Sequence, residues 1–172
     1  MKFPVIQFCL FPWILFGLSY SRPLALDKMK NDAKLLAQTT IIRIQKYTNE
    51  FKISPSLVFS GLELIPDSSF EKPLGGLESV EKNLYIFQEI LSNLPLDNMD
   101  QILADIYNLR MIIRSSATSV SCAPLNAGDM GHLENFLKNN ATFHVTIGNV
   151  ALDRLQKYLN KLIKNLDHLK NC

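Results

Sequence analysis

The stretch that decides the fold is Leu77-Glu-Ser-Val-Glu-Lys-Asn-Leu-Tyr-Ile-Phe-Gln-Glu-Ile-Leu-Ser-Asn-Leu-Pro-Leu-Asp-Asn-Met-Asp-Gln-Ile-Leu-Ala-Asp-Ile-Tyr-Asn-Leu-Arg-Met-Ile-Ile113. Leu77, Val80, Leu84, Phe87, Leu91 and Leu94 recur at steps of three and four, the spacing of one apolar stripe on a helix, and Pro95 stops it. Met99, Ile102, Ile106, Leu109 and Ile113 restart the rhythm almost at once, with Leu96-Asp97-Asn98 offering an N-cap. Two helices joined this tightly must be antiparallel neighbours.

Working outward, Leu152, Leu155, Leu159, Leu162, Leu166 and Leu169 draw a third stripe to the end of the chain. Lys157, Lys161, Lys164 and Lys170 fall on or near its wet side. Toward the N-terminus, Leu26, Met29, Ala33, Leu36, Thr40, Ile44, Tyr47 and Phe51 predict one long helix, with Leu35, Ile41 and Ile42 widening its buried face. Ser54-Pro55 ends it at the latest, because the residue before proline avoids the helical region. Residues 52 to 76, rich in Pro and Gly, form a long crossover carrying its own apolar patch, Leu62 to Ile65. Residues 118 to 149 form a second, with His132 to Leu137 as a short extra helix and the polar run Ser115 to Ser121 leading into it. Two long crossovers around one tight joint predict an all-α, long-chain four-helix bundle with up-up-down-down topology.

Met1-Lys2, an uncharged run from Phe3 to Leu18, and Ser19-Tyr20-Ser21 have the pattern of a secretory signal peptide cut after Ser21. An uncleaved anchor is the alternative, but the run is short for a span and holds Pro4, Gln7 and Pro12. The expected mature domain is residues 22–172, released outside the cell. Cys9 leaves with the signal, so Cys122 and Cys172 are the cysteines of the mature chain. In an oxidising compartment they allow one intramolecular disulfide or an intermolecular one. The intramolecular bond is worth on the order of 4 kcal/mol in the chain-entropy model. Asn140-Ala141-Thr142 is an N-glycosylation sequon in a polar loop.

Composition excludes several functions. With 18 basic and 16 acidic residues, and lysines scattered, there is neither a nucleic-acid patch nor a polybasic membrane segment. His132, His144 and His168 show no paired ligand spacing. No phosphate loop, nucleophile elbow or zinc-type cysteine pairing is present. The expectation is no catalysis, no metal and no cofactor. Binding must then use outer faces: Asp32, Gln38, Thr39 and Arg43 lie off the stripe of the first helix, and Gln101, Asn108 and Ile112 off that of the third. Leu62, Leu64 and Ile65, apolar in a long loop, either pack on the bundle or wait for a partner.

These residues form a recognisable set. Gly61-Leu-Glu-Leu-Ile-Pro66, Asn83 to Pro95, Asn108-Leu-Arg110, Cys122, Leu155-Gln156, Leu166-Asp167 and the terminal Cys172 resemble the leptin family over the whole mature chain. The resemblance implies a secreted hormone of energy balance and feeding, monomeric when free, with a Cys122–Cys172 disulfide. Its partner would be the leptin receptor, a single-pass class I cytokine receptor that signals through a bound tyrosine kinase. It assigns the main receptor face to Asp32, Thr39, Arg43, Gln101, Asn108 and Ile112, with Gln38 and Met111 where mammalian relatives carry lysine and aspartate. A second, activating contact falls to Leu62, Glu63, Leu64, Ile65 and Thr146. On this reading Leu62→Ala with Ile65→Ala spares binding and weakens signalling. Thr146-Ile147 replaces the family's Ser-Thr pair, and Leu125 stands where the family has tryptophan. The competing expectations are another long-chain cytokine and a secreted helical carrier of a small apolar ligand.

Overall fold

A computed structural model describes residues 21–51, 60–67, 74–123, 130–169 and 172, with the side chains of 21–25 and 51 excepted. Residues 1–20 of the expected signal peptide, Pro55, Pro124, Leu125 and Lys170 lie outside the described residues. All regular structure among those described is helical: α1 (Ser21–Phe51), α2 (Leu77–Ser92), α3 (Asp100–Ser119), α4 (Gly131–Asn139) and α5 (His144–Asn165). Single turns of 3-10 helix occur at Leu62–Leu64, Ala141–Phe143 and Leu166–His168.

Local sequence explains the boundaries. Gly76 is extended before α2, and Glu78 in the first turn suits the positive end of the helix. Asn93 then caps α2, its Nδ2 donating to Glu89 O at 2.8 Å. The N-cap expected within Leu96-Asp97-Asn98 is corrected. Met99 holds the N-cap position of α3 with no side-chain bond, while Asn98 takes φ 60° and turns the chain there. Asparagine tolerates that left-handed geometry better than most residues. α3 also runs further than the polar sequence suggested. Ser116, Thr118 and Ser119 return their hydroxyls to the carbonyls of Ile112, Arg114 and Ser116, so they cost the helix little. α5 begins at His144, earlier than the extent of the second crossover implied. Gly148 inside it lets Leu96 of the α2–α3 joint pack close, since a Cβ there would stand 2.7 Å from Leu96 Cδ1 and push that side chain aside.

α1 packs against α3 and α5, and α2 packs against the same two helices. The four long helices therefore close a ring in the order α1, α3, α2, α5. Early α1 meets late α3, where Ser116 Oγ lies 3.9 Å from Met29 Sδ, and early α1 meets the end of α5, where Lys34 pairs with Asp167. Early α2 meets late α3 through Glu81 and Arg114 at 2.7 Å. The stripe of α5 fills the centre, with Leu152, Leu155, Leu159, Leu162 and Leu166 all buried. Burying one such side chain contributes about 1.5–3 kcal/mol, so these stripes supply the main drive for the fold.

Two residues expected to widen the buried face of α1 do not. Leu35 and Ile42 are 65% and 66% exposed, while Ile41 is buried. At about 100° per residue, Leu35 and Ile42 fall beyond the arc that α3 and α5 cover. The structure contains the Cys122–Cys172 disulfide, with Cα atoms 5.4 Å apart. A tight turn delivers the first cysteine: Cys122 N–H reaches Ala117 O and Ser121 N–H reaches Thr118 O, each at 3.0 Å. This is a Schellman closure with Ser121, at φ 64°, in the place glycine usually takes.

Candidate functional site

The α1–α3 seam gathers most of the first candidate set. Arg43 Nε lies 2.8 Å from Asp105 Oδ2, and Gln101 Nε2 donates to Asp105 Oδ1 at 3.1 Å. Asp105 is buried. The Arg43 contact is an ion pair whose N–H is not aimed at the oxygen, since Oδ2 receives no hydrogen bond. Asp105 thus anchors two exposed side chains from beneath. Sequence reading missed it because an aspartate on a helix reads as a solvated charge. A cleft of about 220 Å³ opens at this end of the seam, lined by Arg43, Lys46, Tyr47, Glu50, Asn98, Gln101 and Ile102.

Helical steps of three and four carry the same edge of α1 from Arg43 through Thr39 to Asp32, and that of α3 from Gln101 through Asn108 to Ile112. Asp32, Arg43, Gln101 and Asn108 are exposed, and Thr39 and Ile112 half-buried. Thr39 Oγ1 donates to Leu35 O at 3.0 Å. Gln38 is exposed but sits about 100° round the helix from Thr39, away from the seam. Between them on the same outer face stand Leu35 and Ile42. A helical-wheel angle measured from the Arg43 edge, rather than apolarity alone, is the signal that finds them.

The crossover candidates divide. Leu62 and Ile65 are buried in the core and pack on the bundle, so a partner cannot reach them in this conformation. Their double alanine variant would test stability before it tested contact. Leu64 is half-buried and Glu63 exposed, the latter accepting the Gly61 N–H at 2.9 Å. Arg154 of α5 pins this turn, its Nη1 donating to Leu62 O and Ile65 O at 2.7 Å each. Nothing in the sequence links Arg154 to residues so far up the chain, and its role was missed.

Thr146 is half-buried in the first turn of α5, about 12 Å along the helix from Arg154, and Ile147 behind it is buried. Phe143 and Val145, 48% and 47% exposed, flank His144. Beside them a cleft of about 410 Å³ is lined by Asn93, Leu94, Pro95, Glu134, Leu137, Lys138, Ala141 and His144. Asn140 closes α4, its Nδ2 donating to Phe136 O at 2.9 Å.

Among the described residues no group of His, Cys, Asp or Glu is placed to hold a metal, and no helix is long and apolar enough to cross a membrane. His132 and His168 are exposed and His144 half-buried, on three separate elements.

Comparison with known proteins places the chain in a family. The family model described as Leptin matches residues 25–172. The chain is 34% identical to the leptin of Sminthopsis crassicaudata over 96% of both chains. It is 32% identical to that of Bubalus bubalis over 98% of both. The leptin of Mus musculus is 30% identical, over 95% of this chain and 96% of its own. A helical bundle closed by the Cys122–Cys172 bond, with a match this extensive, leaves one conclusion: the chain belongs to the leptin family, whose members are hormones and not enzymes.

Proposed function

We propose that this chain is a secreted hormone that binds and activates a leptin receptor of the single-pass class I cytokine type, and so regulates energy balance and feeding. Residues 1–21 serve as the signal peptide, and residues 22–172 circulate as a monomer. The up-up-down-down order is supported by which ends meet. Early α1 meets late α3 and the end of α5, and early α2 meets late α3, so α1 and α2 share one direction.

The observation that carries the reading is the Asp105-anchored seam. A buried carboxylate holds Arg43 and Gln101 from two different helices at the surface. Such a pre-positioned polar rim beside exposed Leu35 and Ile42 suits protein recognition, where apolar anchors supply affinity and charges tune rate and specificity. Capture would use Asp32, Gln38, Thr39, Arg43, Gln101, Asn108 and Ile112. Activation would use Glu63, Leu64 and Thr146, backed by the buried Leu62 and Ile65.

Reporter cells bearing the receptor test this division. Arg43→Ala should weaken capture and signalling together. Glu63→Ala with Leu64→Ala should leave capture unchanged and depress the maximal signal. Equal loss of both readouts in the crossover variant would contradict two separate surfaces.

A further inference from the structure

We infer that Asn140 carries an N-linked glycan, and that this glycan screens the activating surface at the start of α5, so that the glycosylated hormone is captured fully and signals weakly. The inference rests on the receptor reading above and adds to it a modification that sets signal strength.

The folded structure accommodates the sugar at a specific atom. Asn140 caps α4 through its backbone N–H and through Nδ2, both directed at Phe136 O, at 3.1 and 2.9 Å. A primary amide nitrogen has two hydrogens. In transfer from a lipid-pyrophosphate oligosaccharide, the Nδ2–C1 bond forms and the C1–O bond to pyrophosphate breaks. One Nδ2 proton is lost and the lipid pyrophosphate leaves. Nδ2 keeps one hydrogen and the backbone N–H bond to Phe136 O is untouched, so the modification and the helix end are compatible. Ala141, Thr142 and Phe143 are exposed, which gives the sugar open space. A signal sequence at Met1–Ser21 would deliver the chain to the compartment that holds the donor.

Position gives the sugar its consequence. Between Asn140 and Thr146 run one 3-10 turn and the first turn of α5, a path of roughly 10 Å. Along that path Phe143 and Val145 leave about half their surface in water. A bulky polar group rooted at Asn140 overhangs this apolar pair and Thr146. The neighbouring cleft reaches the end of α2 at Asn93, Leu94 and Pro95, placing the sugar on the α2 side of the ring. The α1–α3 seam lies on the opposite edge of the ring, at the same end of the bundle, because late α1, early α3, late α2 and early α5 meet there. Screening should therefore reach activation and spare capture.

The test uses the full chain secreted from glycosylating animal cells: wild type, Thr142→Ala, which removes the acceptor signal and leaves the Asn140 cap, and Thr142→Ser, which keeps the signal. Intact mass, equilibrium binding to the receptor ectodomain and half-maximal reporter dose are measured for each. Wild type and Thr142→Ser should carry glycan mass and bind within about twofold of Thr142→Ala, yet need a several-fold higher dose. An unmodified wild type would overturn the inference whole. Binding with a normal response from every form overturns only the screening. Silence from every form overturns the receptor reading and the inference with it.

Discussion

Gly61 holds φ 100°, a conformation that side-chain-bearing residues rarely adopt. A Cβ there would also press into the Phe136 ring. Gly61→Ala should therefore cost about 2–3 kcal/mol, read as a lower chemical-denaturation midpoint. An unchanged midpoint would mean that the crossover is not held against α4. Tyr158 sets a second residue-scale expectation. Burial pushes its phenol up to about 12, only partly offset by Asn83 Nδ2 at 3.4 Å. A group whose folded value lies above its unfolded value of 10 contributes stability that is complete below pH 10. That contribution falls as pH rises toward 12, by up to about 2.7 kcal/mol at 1.36 kcal/mol per unit. Tyr158→Phe should flatten the alkaline decline relative to wild type in denaturation measured from pH 9 to 11 (roughly the window that brackets the unfolded value). Exposed Asp167 behaves oppositely. Its hydrogen bond from Lys34 holds the carboxyl below the usual range, so that contact helps above the ordinary value and fades as pH falls.

At the scale of elements, two closures invite substitution. Ser121 occupies the left-handed position that ends α3 and aims Cys122 at Cys172. Ser121→Gly removes the strain while keeping both turn hydrogen bonds, and should stabilise the protein by roughly 0.5–1 kcal/mol. A loss of stability would show that the serine side chain contributes something the backbone account omits. Arg154 ties the Leu62–Leu64 turn to α5 with two short bonds. Arg154→Ala should speed hydrogen exchange in the turn well before it affects α2 or α3. What the sequence made legible follows from this division. Periodic leucines and the Pro95 stop displayed α2, α3 and α5 plainly, because apolar spacing reports burial directly. Asn98 and Leu35 were misread, because a cap depends on backbone angles and a helix face depends on how many neighbours cover it. Asp105 and Arg154 stayed hidden, since each acts through a partner brought near only by folding.

For the whole molecule, the ring order α1, α3, α2, α5 places the Arg43–Asp105–Gln101 seam and the α5 start on different sides. The two proposed surfaces thus occupy opposite edges of one end of the bundle, with the α2–α3 link between them. The disulfide fixes the end of the chain to the end of α3, closing a separation of 50 residues. Cys172→Ser should lower unfolding free energy by about 4 kcal/mol or somewhat less, since measured values scatter below the chain-entropy figure. The central claim is that Asp105 presents Arg43 and Gln101 to a receptor. Its most direct test is equilibrium binding of disulfide-closed Arg22–Cys172 to the ectodomain of a leptin receptor from the same species. Wild type should bind saturably, and Arg43→Ala and Gln101→Ala should each weaken binding by about 1–2 kcal/mol without loss of helicity. Saturable binding that both variants leave untouched would contradict the seam as the capture surface, and no binding by the folded wild type would contradict the hormone reading itself.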